Sequence, residues 1–93
     1  MAVGLPTDVQ KPLVTIYGYQ DVVTIGFLNI NEPSVKVDLF DLTGRKIIET
    51  LTLETSQAKH EIKLSSIPTG YYFVRVTGTD TYADEKLFLT SDK

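Results

Sequence analysis

Apolar and polar residues alternate along much of this chain, with the two-residue period of strands that bury one face. In residues 35–39, valine and leucine alternate with Lys36 and Asp38. Residues 58–64 alternate in the same way, and the aromatic and β-branched run at residues 71–76 is the strongest strand signal in the chain. No stretch shows the spacing of an amphipathic helix. The pattern therefore predicts an all-β domain.

About seven short strands account for this pattern, spaced by roughly 8–12 residues and separated by turn residues. We place them at residues 13–17, 22–27, 35–39, about 45–53, 58–64, 71–76 and 82–89. The arrangement is typical of an immunoglobulin-like antiparallel β-sandwich, although the chain lacks the cysteine pair and the tryptophan of antibody domains. Residues 13–93 are therefore predicted to form a single β-sandwich domain. Residues 1–12, which contain Pro6 and Pro12, are predicted to form a lead-in or linker.

The first predicted turn lies between the third and fourth strands. Asp41 can accept hydrogen bonds from backbone N–H groups two positions further on, and Gly44 can adopt a positive φ. Arg45 is either solvated or paired with Asp41. Glu49 interrupts the apolar series of the return strand. We therefore expect a bulge or an edge position near Glu49.

A second turn, at residues 65–70, precedes the strongest strand. Pro68 presets φ there, and Gly70 is free to turn in either direction. Tyr72 follows at a core position, where a tyrosine hydroxyl can tie down a nearby loop. We therefore interpret Gly70 and Tyr72 as residues that shape this corner, with recognition of both by a partner as the alternative.

The last turn, at residues 78–81, predicts the register of the final hairpin. Four cross-strand pairs follow from it: Thr77 with Tyr82, Arg75 with Asp84, Phe73 with Lys86 and Tyr71 with Phe88. The outer face would then hold one opposite-charge pair and one aromatic pair. Glu85 would face the core, which is costly for a carboxylate. We therefore expect either a bulge that shifts the register or an edge position for Glu85.

Composition narrows the range of partners. The chain has 93 residues, enough for one domain, and a net charge of −3. Its nine basic residues are scattered, so we expect no nucleic-acid partner. No apolar run is long enough for a transmembrane segment. Residues 1–5 show no signal peptide, and so featureless a start is compatible with a boundary inside a larger protein.

Catalytic chemistry is not expected either. The chain has no cysteine, one histidine, and neither a G-x-S-x-G motif nor a glycine-rich phosphate loop. That histidine, His60, lies on the apolar side of its predicted strand without further ligands at a workable spacing, which favours a packed or rim histidine over a metal ligand. Asp80, Asp84 and Glu85 lack the spacing of a calcium loop. We therefore predict no catalytic residue, no metal site and no cofactor.

Three segments, in order, resemble the motifs of a known family. Residues 37–47 (VDLFDLTGRKI) resemble V-x-V-Y-D-L-x-G-R-x-V, and residues 62–76 (IKLSSIPTGYYFVRV) resemble I-x-L-S-S-L-P-x-G-x-Y-x-V-R-V. Residues 85–89 (EKLFL) resemble the terminal x-K-L-x-V. These motifs belong to the type A C-terminal sorting domains of the type IX (Por) secretion system. The resemblance covers about residues 21–89.

This resemblance implies a function in transport. In the family, a folded β-sandwich at the C-terminus of a cargo protein is recognised by the outer-membrane translocon. A sortase-like peptidase then usually removes it and links the cargo to surface lipopolysaccharide. The cargo would pass through the periplasm and outer membrane and be secreted or held at the cell surface, while the domain would do no chemistry itself. An exposed terminal strand suits such recognition, so the candidate contact residues are Lys86, Leu87, Phe88 and Leu89.

Two other functions remain open at this point. A stand-alone secreted or periplasmic β-sandwich of interaction type shares the D-x-x-G-R and G-x-Y-x-V features. An accessory carbohydrate-binding module would use Tyr71, Phe73 and Phe88, which the predicted register places on one outer face. Exposed apolar patches often mark interaction sites, so Tyr71 and Phe73 are candidate contact residues for a protein partner as well.

Overall fold

The computed structural model describes residues 11–91, which form seven strands and no helix. The strands are β1 (Leu13–Tyr19), β2 (Val22–Leu28), β3 (Ser34–Asp41), β4 (Leu51–Glu54), β5 (Lys59–Lys63), β6 (Gly70–Thr77) and β7 (Tyr82–Leu89). One antiparallel sheet has the strand order β1-β2-β5, and the other has the order β4-β3-β6-β7. The chain passes between the sheets after β2, β4 and β5, and the predicted β-sandwich is confirmed. Residues 1–10, most of the predicted lead-in, lie outside the described residues.

The core lies between the inner faces of the two sheets and follows from strand alternation. Its buried apolar side chains are Val23, Ile25 and Phe27 of β2, Val35, Val37 and Leu39 of β3, Tyr72, Val74 and Val76 of β6, Leu87 and Leu89 of β7, and Leu53, Leu64 and Ile67. Removal of this apolar surface from water is the main favourable contribution to folding. The two-residue period seen in the sequence is therefore the period of the core.

β1 is longer than predicted, because Gly18 does not end it. Gly18 pairs with Val23 within the β1–β2 ladder. A Cβ atom at Gly18 would lie 2.6 Å from Leu89 Cδ2 and 3.3 Å from Leu87 Cδ1. The absent side chain therefore allows β7 to close over β1. A backbone hydrogen bond of 3.0 Å from Thr90 N–H to the Gln20 carbonyl fixes the end of β7 to the β1–β2 turn.

The strand that returns after the Asp41 turn, β4, is shorter than predicted. Lys46 forms an isolated bridge with Phe40, and continuing that register would pair Val37 with Glu49. Val37 instead pairs with Leu51, where β4 begins. Two extra residues are thus accommodated between the bridge and β4, which is an edge strand of its sheet. The prediction of a strand that begins near residue 45 was therefore wrong, whereas the irregularity predicted near Glu49 is present.

The final hairpin has the predicted register. Thr77 pairs with Tyr82, Arg75 with Asp84, Phe73 with Lys86 and Tyr71 with Phe88. Glu85 pairs with Val74 without a bulge and is exposed. β7 is the edge strand of its sheet, so an inward-pointing carboxylate at Glu85 still reaches water. Of the two alternatives for Glu85, the structure has the edge position.

Candidate recognition surface

The carboxylate of Asp41, at the end of β3, organises the turn that follows. Its Oδ1 accepts hydrogen bonds from Thr43 N–H at 3.0 Å, from the Thr43 hydroxyl at 2.6 Å and from Arg45 N–H at 3.0 Å. Arg45 Nε donates to Oδ2 at 3.2 Å, and Gly44 has a φ of 88°. The Thr43 hydroxyl, followed by Arg45 N–H, lowers the pKa of the Asp41 carboxyl below its ordinary value. The observed turn has the geometry that the sequence predicts.

The corner before β6 has its positive φ at a residue other than Gly70. Tyr72 is buried and its hydroxyl donates to the Pro68 carbonyl, as expected. The positive φ of the corner, 60°, belongs to Ser66. Gly70 begins β6 opposite Leu89, and a Cβ atom there would meet no atom within 4 Å. The positive φ of the corner therefore lies at Ser66, and Gly70 follows it at the start of β6.

The Asp41 turn and this corner lie side by side and enclose an open groove of about 450 Å³. We call it the motif groove, since two of the sequence motifs line it: Asp41, Leu42, Thr43, Arg45 and Ile47 from the turn, and residues 65–72 from the corner. Leu42 is exposed, and the Arg45 side chain is 79% exposed. Gly70 also lines the groove, and a Cβ atom there would meet no atom within 4 Å. The structure thus brings together the predicted turn residues and Tyr72 in one concave surface.

The aromatic face lies beside the motif groove, on the outer side of β6 and β7. It consists of Tyr71, Phe73, Lys86 and Phe88. The rings of Tyr71 and Phe88 meet edge to face, with centroids 5.1 Å apart and planes inclined by 63°. Lys86 Nζ lies 5.0 Å from the Tyr71 ring centroid. Because these two rings are steeply inclined, they cannot both lie flat against one sugar ring.

β7 separates the four predicted contact residues into two pairs. Lys86 and Phe88 are exposed on the aromatic face. Leu87 is 8% exposed and Leu89 is completely buried, so their side chains belong to the core. A partner of the folded domain can therefore reach Lys86 and Phe88, while Leu87 and Leu89 hold the strand in place.

The predicted opposite-charge pair is aligned but makes no ion pair. Arg75 faces Asp84 across the ladder, yet no salt bridge joins them among residues 11–91. The Arg75 guanidinium lies 5.3 Å from the Phe40 ring and 6.0 Å from the Tyr82 ring. Asp84 Oδ2 accepts a hydrogen bond of 2.9 Å from the Tyr82 hydroxyl. The Arg75 guanidinium therefore contacts aromatic rings and not the Asp84 carboxylate that the predicted register places opposite it.

His60 makes structural contacts. Its Nε2 lies 2.8 Å from the Glu54 carbonyl, and its ring packs edge to face on Phe27 at 5.7 Å. Within residues 11–91, no group of three or more His, Asp or Glu side chains is placed to hold a metal ion. In the same part of the chain no helix is present that has the length and apolarity to cross a membrane.

Sequence reasoning missed Glu32, which precedes β3. Its Oε1 accepts a hydrogen bond from Thr79 N–H at 2.7 Å, and its Oε2 accepts from Asp80 N–H at 2.8 Å and from the Thr81 hydroxyl at 2.6 Å. These bonds, with the Thr81 hydroxyl first, lower the pKa of the Glu32 carboxyl below its ordinary value. A Cβ atom at Gly78 would lie 2.5 Å from Oε1. The only sequence signal for this contact is the glycine in the loop, which does not name its partner.

Comparison with known proteins gives one result. A family model described as the secretion system C-terminal sorting domain (Por_Secre_tail) matches residues 19–90 of the 93-residue chain. A search of curated proteins finds no match. The matched range contains the motif groove, the aromatic face and all of β7.

Proposed function

The chain belongs to the family of secretion system C-terminal sorting domains, and we propose that its folded β-sandwich is the surface by which the type IX outer-membrane translocon recognises a cargo protein. The family implies a C-terminal sorting signal for type IX secretion, with delivery to the cell surface or beyond. In this proposal the domain is recognised as a folded object and does no chemistry of its own. A sortase-like peptidase then removes it and links the cargo to surface lipopolysaccharide.

One observation carries this proposal. Motifs from three separate parts of the matched range converge on adjacent surfaces of the fold, the motif groove and the aromatic face. A partner that reads this end of the sandwich would contact Arg45, Tyr71 and Phe88 together. A linear peptide signal would have no need for such convergence, whereas a folded signal depends on it.

Gly70 supports recognition at the motif groove. Its φ is not positive and a Cβ atom would meet no atom within 4 Å, so the domain itself does not require glycine there. A methyl group would instead project into the space where a partner would bind. We therefore propose that Gly70 is needed for access to the groove, and that Asp41, Gly44 and Tyr72 maintain its shape.

A secretion assay tests the proposal. Residues 1–93 are fused to the C-terminus of a fluorescent reporter that bears a signal peptide, and the fusion is expressed in a type IX-competent strain and in a translocon-null strain. We expect reporter outside the outer membrane only in the competent strain. Equal periplasmic retention of a folded fusion in both strains would contradict the proposed function.

Two variants locate the recognised surface. Phe88→Ala and Gly70→Ala should both reduce export while thermal unfolding of the purified chain stays close to wild type. Tyr17→Ala is the matched control, because Tyr17 is 52% exposed, Phe88 is 51% exposed, and Tyr17 lies on β1 outside the matched range. Export that falls as much for Tyr17→Ala as for Phe88→Ala would rule out the aromatic face as the specific contact.

A further inference from the structure

β7 has one edge with no hydrogen-bonded neighbouring strand among residues 11–91. Gly78 N–H donates to the Thr81 carbonyl at 2.7 Å, so odd-numbered residues of β7 form the hydrogen-bonded positions against β6. Even-numbered residues turn their backbone N–H and C=O groups away from β6. Thr90, the next residue of this parity, indeed donates outward to Gln20. The backbone groups of Asp84, Lys86 and Phe88 lie on the side of β7 that has no hydrogen-bonded strand among residues 11–91, although β1 of the other sheet packs close to β7.

The side chains at these outward-turned positions are complementary to the same side chains on a second, antiparallel copy of β7. Along β7 they read Tyr82, Asp84, Lys86 and Phe88, that is, aromatic, acid, base, aromatic. If a second β7 is laid antiparallel along the edge, Asp84 faces Lys86 of the second copy and Tyr82 faces Phe88 of the second copy. Two-fold symmetry makes each of these favourable pairs occur twice.

The neighbouring registers are unfavourable. Only registers that align outward-turned residues with one another can form the ladder. Moving the second strand by two residues in one direction places Lys86 opposite Lys86 of the second copy. Moving it by two residues in the other direction places Asp84 opposite Asp84. Like charges directly opposite each other destabilise a strand pair. Of these three registers, only the one centred on Glu85 places opposite charges face to face.

The charged groups are available for this pairing. Asp84 Oδ2 accepts the Tyr82 hydroxyl at 2.9 Å, which leaves Oδ1 without a hydrogen-bond partner among residues 11–91. Lys86 Nζ lies over the Tyr71 ring and faces no carboxylate in that range. Charges on an edge strand ordinarily prevent strand pairing, but here their order makes them attractive in one register.

We infer that β7 pairs with β7 of a second copy of this chain, which joins two four-stranded sheets into one continuous sheet across a two-fold axis. The inference concerns the purified chain alone and does not depend on the proposed sorting function. Glu85 of each copy lies at the axis in a non-hydrogen-bonded pair.

A single cysteine tests both the association and its register. In a non-hydrogen-bonded antiparallel pair the Cα atoms are about 4.5 Å apart, a separation that a disulfide can span. The chain contains no cysteine, so Glu85→Cys should form a disulfide-linked dimer under mild oxidation. Ala83→Cys is the control, because its two cysteines would lie roughly 13 Å apart along the strands. Cross-linking of Glu85→Cys no faster than that of Ala83→Cys would overturn the inference.

Charge variants measured by sedimentation velocity give a second test. Lys86→Asp replaces both attractive pairs by repulsive ones and should weaken dimerisation about ten-fold or more. The swap Asp84→Lys with Lys86→Asp restores opposite charges and should restore dimerisation. Lys36→Asp, on the same outer face but on the central strand β3, makes the same change in net charge and should have little effect. A chain that is monomeric at every concentration, or a swap that restores nothing, would overturn the inference and leave the edge free for a strand of another protein.

Discussion

Two carboxylates at opposite ends of β3 both accept hydrogen bonds from backbone N–H groups of a loop. Their partners lie at very different distances along the chain. Asp41 accepts hydrogen bonds from Thr43 and Arg45, two and four residues away. Glu32 accepts them from Thr79 and Asp80, which lie 47 and 48 residues away. Both carboxylates accept hydrogen bonds from a threonine hydroxyl and from backbone N–H groups of a loop, and these bonds, the hydroxyl first, lower the pKa of each.

The difference between them lies in what each contact holds together. The Asp41 contacts close a turn on itself, so their loss concerns that turn alone. The Glu32 contacts join the start of β3 to the β6–β7 loop. The backbone carbonyl of Glu32 also accepts the Thr55 hydroxyl, and Pro33 accepts Thr55 N–H at 3.0 Å. Glu32 therefore lies where three connections of the sandwich meet, and changes there should spread further.

Of these variants, Leu89→Ala should have the largest effect on stability, and it should affect both ends of β3. Leu89 is completely buried beside Gly18. Its truncation should lower the free energy of unfolding by about 2–5 kcal/mol, since buried leucine truncations leave a cavity. Urea denaturation measures this change. Hydrogen exchange should accelerate in both loops alike, and a response limited to one end would mean that the two ends unfold independently.

Glu32→Gln should have the next largest effect. The amide side chain keeps the size of glutamate but loses its charge and one acceptor oxygen, so the loop at residues 78–81 becomes less constrained. We expect several-fold faster hydrogen exchange at Thr79 and Asp80 and a lower melting temperature. Glu61→Gln is the matched control, because Glu61 is an exposed residue whose carboxylate makes no hydrogen bond among residues 11–91. Equal effects of the two variants would show that the hydrogen bonds of Glu32 do not constrain the loop at residues 78–81.

Gly44→Ala should have a smaller effect that stays within its turn. The φ of Gly44 is 88°, a conformation that costs alanine about 1 kcal/mol. Exchange should change at Thr43 and Arg45 and not at Thr79. Gly70→Ala is the control, since both glycines have open space around them and only Gly44 has a positive φ. A comparable loss of stability for Gly70→Ala would show that φ is not the cause.

The pH dependence is the mildest way to separate the two ends. A carboxyl whose pKa is lowered in the folded state contributes stability above its unfolded pKa, and this contribution is lost as the pH falls through the folded pKa. Acidification should therefore loosen both loops. NMR titration of the backbone amides should show the change at Thr79 and Thr43, and Glu32→Gln should abolish it at Thr79 alone.

The sequence predicts features whose partners are close along the chain. The β6–β7 register depends on a four-residue loop, and the Asp41 and Tyr72 contacts each span four residues or fewer. Contacts between distant segments were not predictable. The two extra residues before β4, the role of Gly18 beneath Leu89 and the Glu32 bonds all depend on how segments meet in space.

The candidate site divides in the same way. Strand parity places Tyr71, Phe73 and Phe88 on one outer face, as predicted from the loop length. The motif groove requires the Asp41 turn to lie against the corner at residues 65–70, and nothing local to either segment specifies this. The open space beside Gly70 has the same origin, since it depends on how these segments meet and not on the local sequence.

The burial of Leu89 has a consequence for timing. β7 is the last strand of the fold, and it supplies both the ladder partner of β6 and the side chain that fills the space over Gly18. A polypeptide that stops before residue 82 would lack both, so its sandwich would remain open along β6. Under the proposed recognition of the folded domain, a cargo whose synthesis terminates early, or whose tail is removed by a protease, would lack the recognised surface and would not be exported.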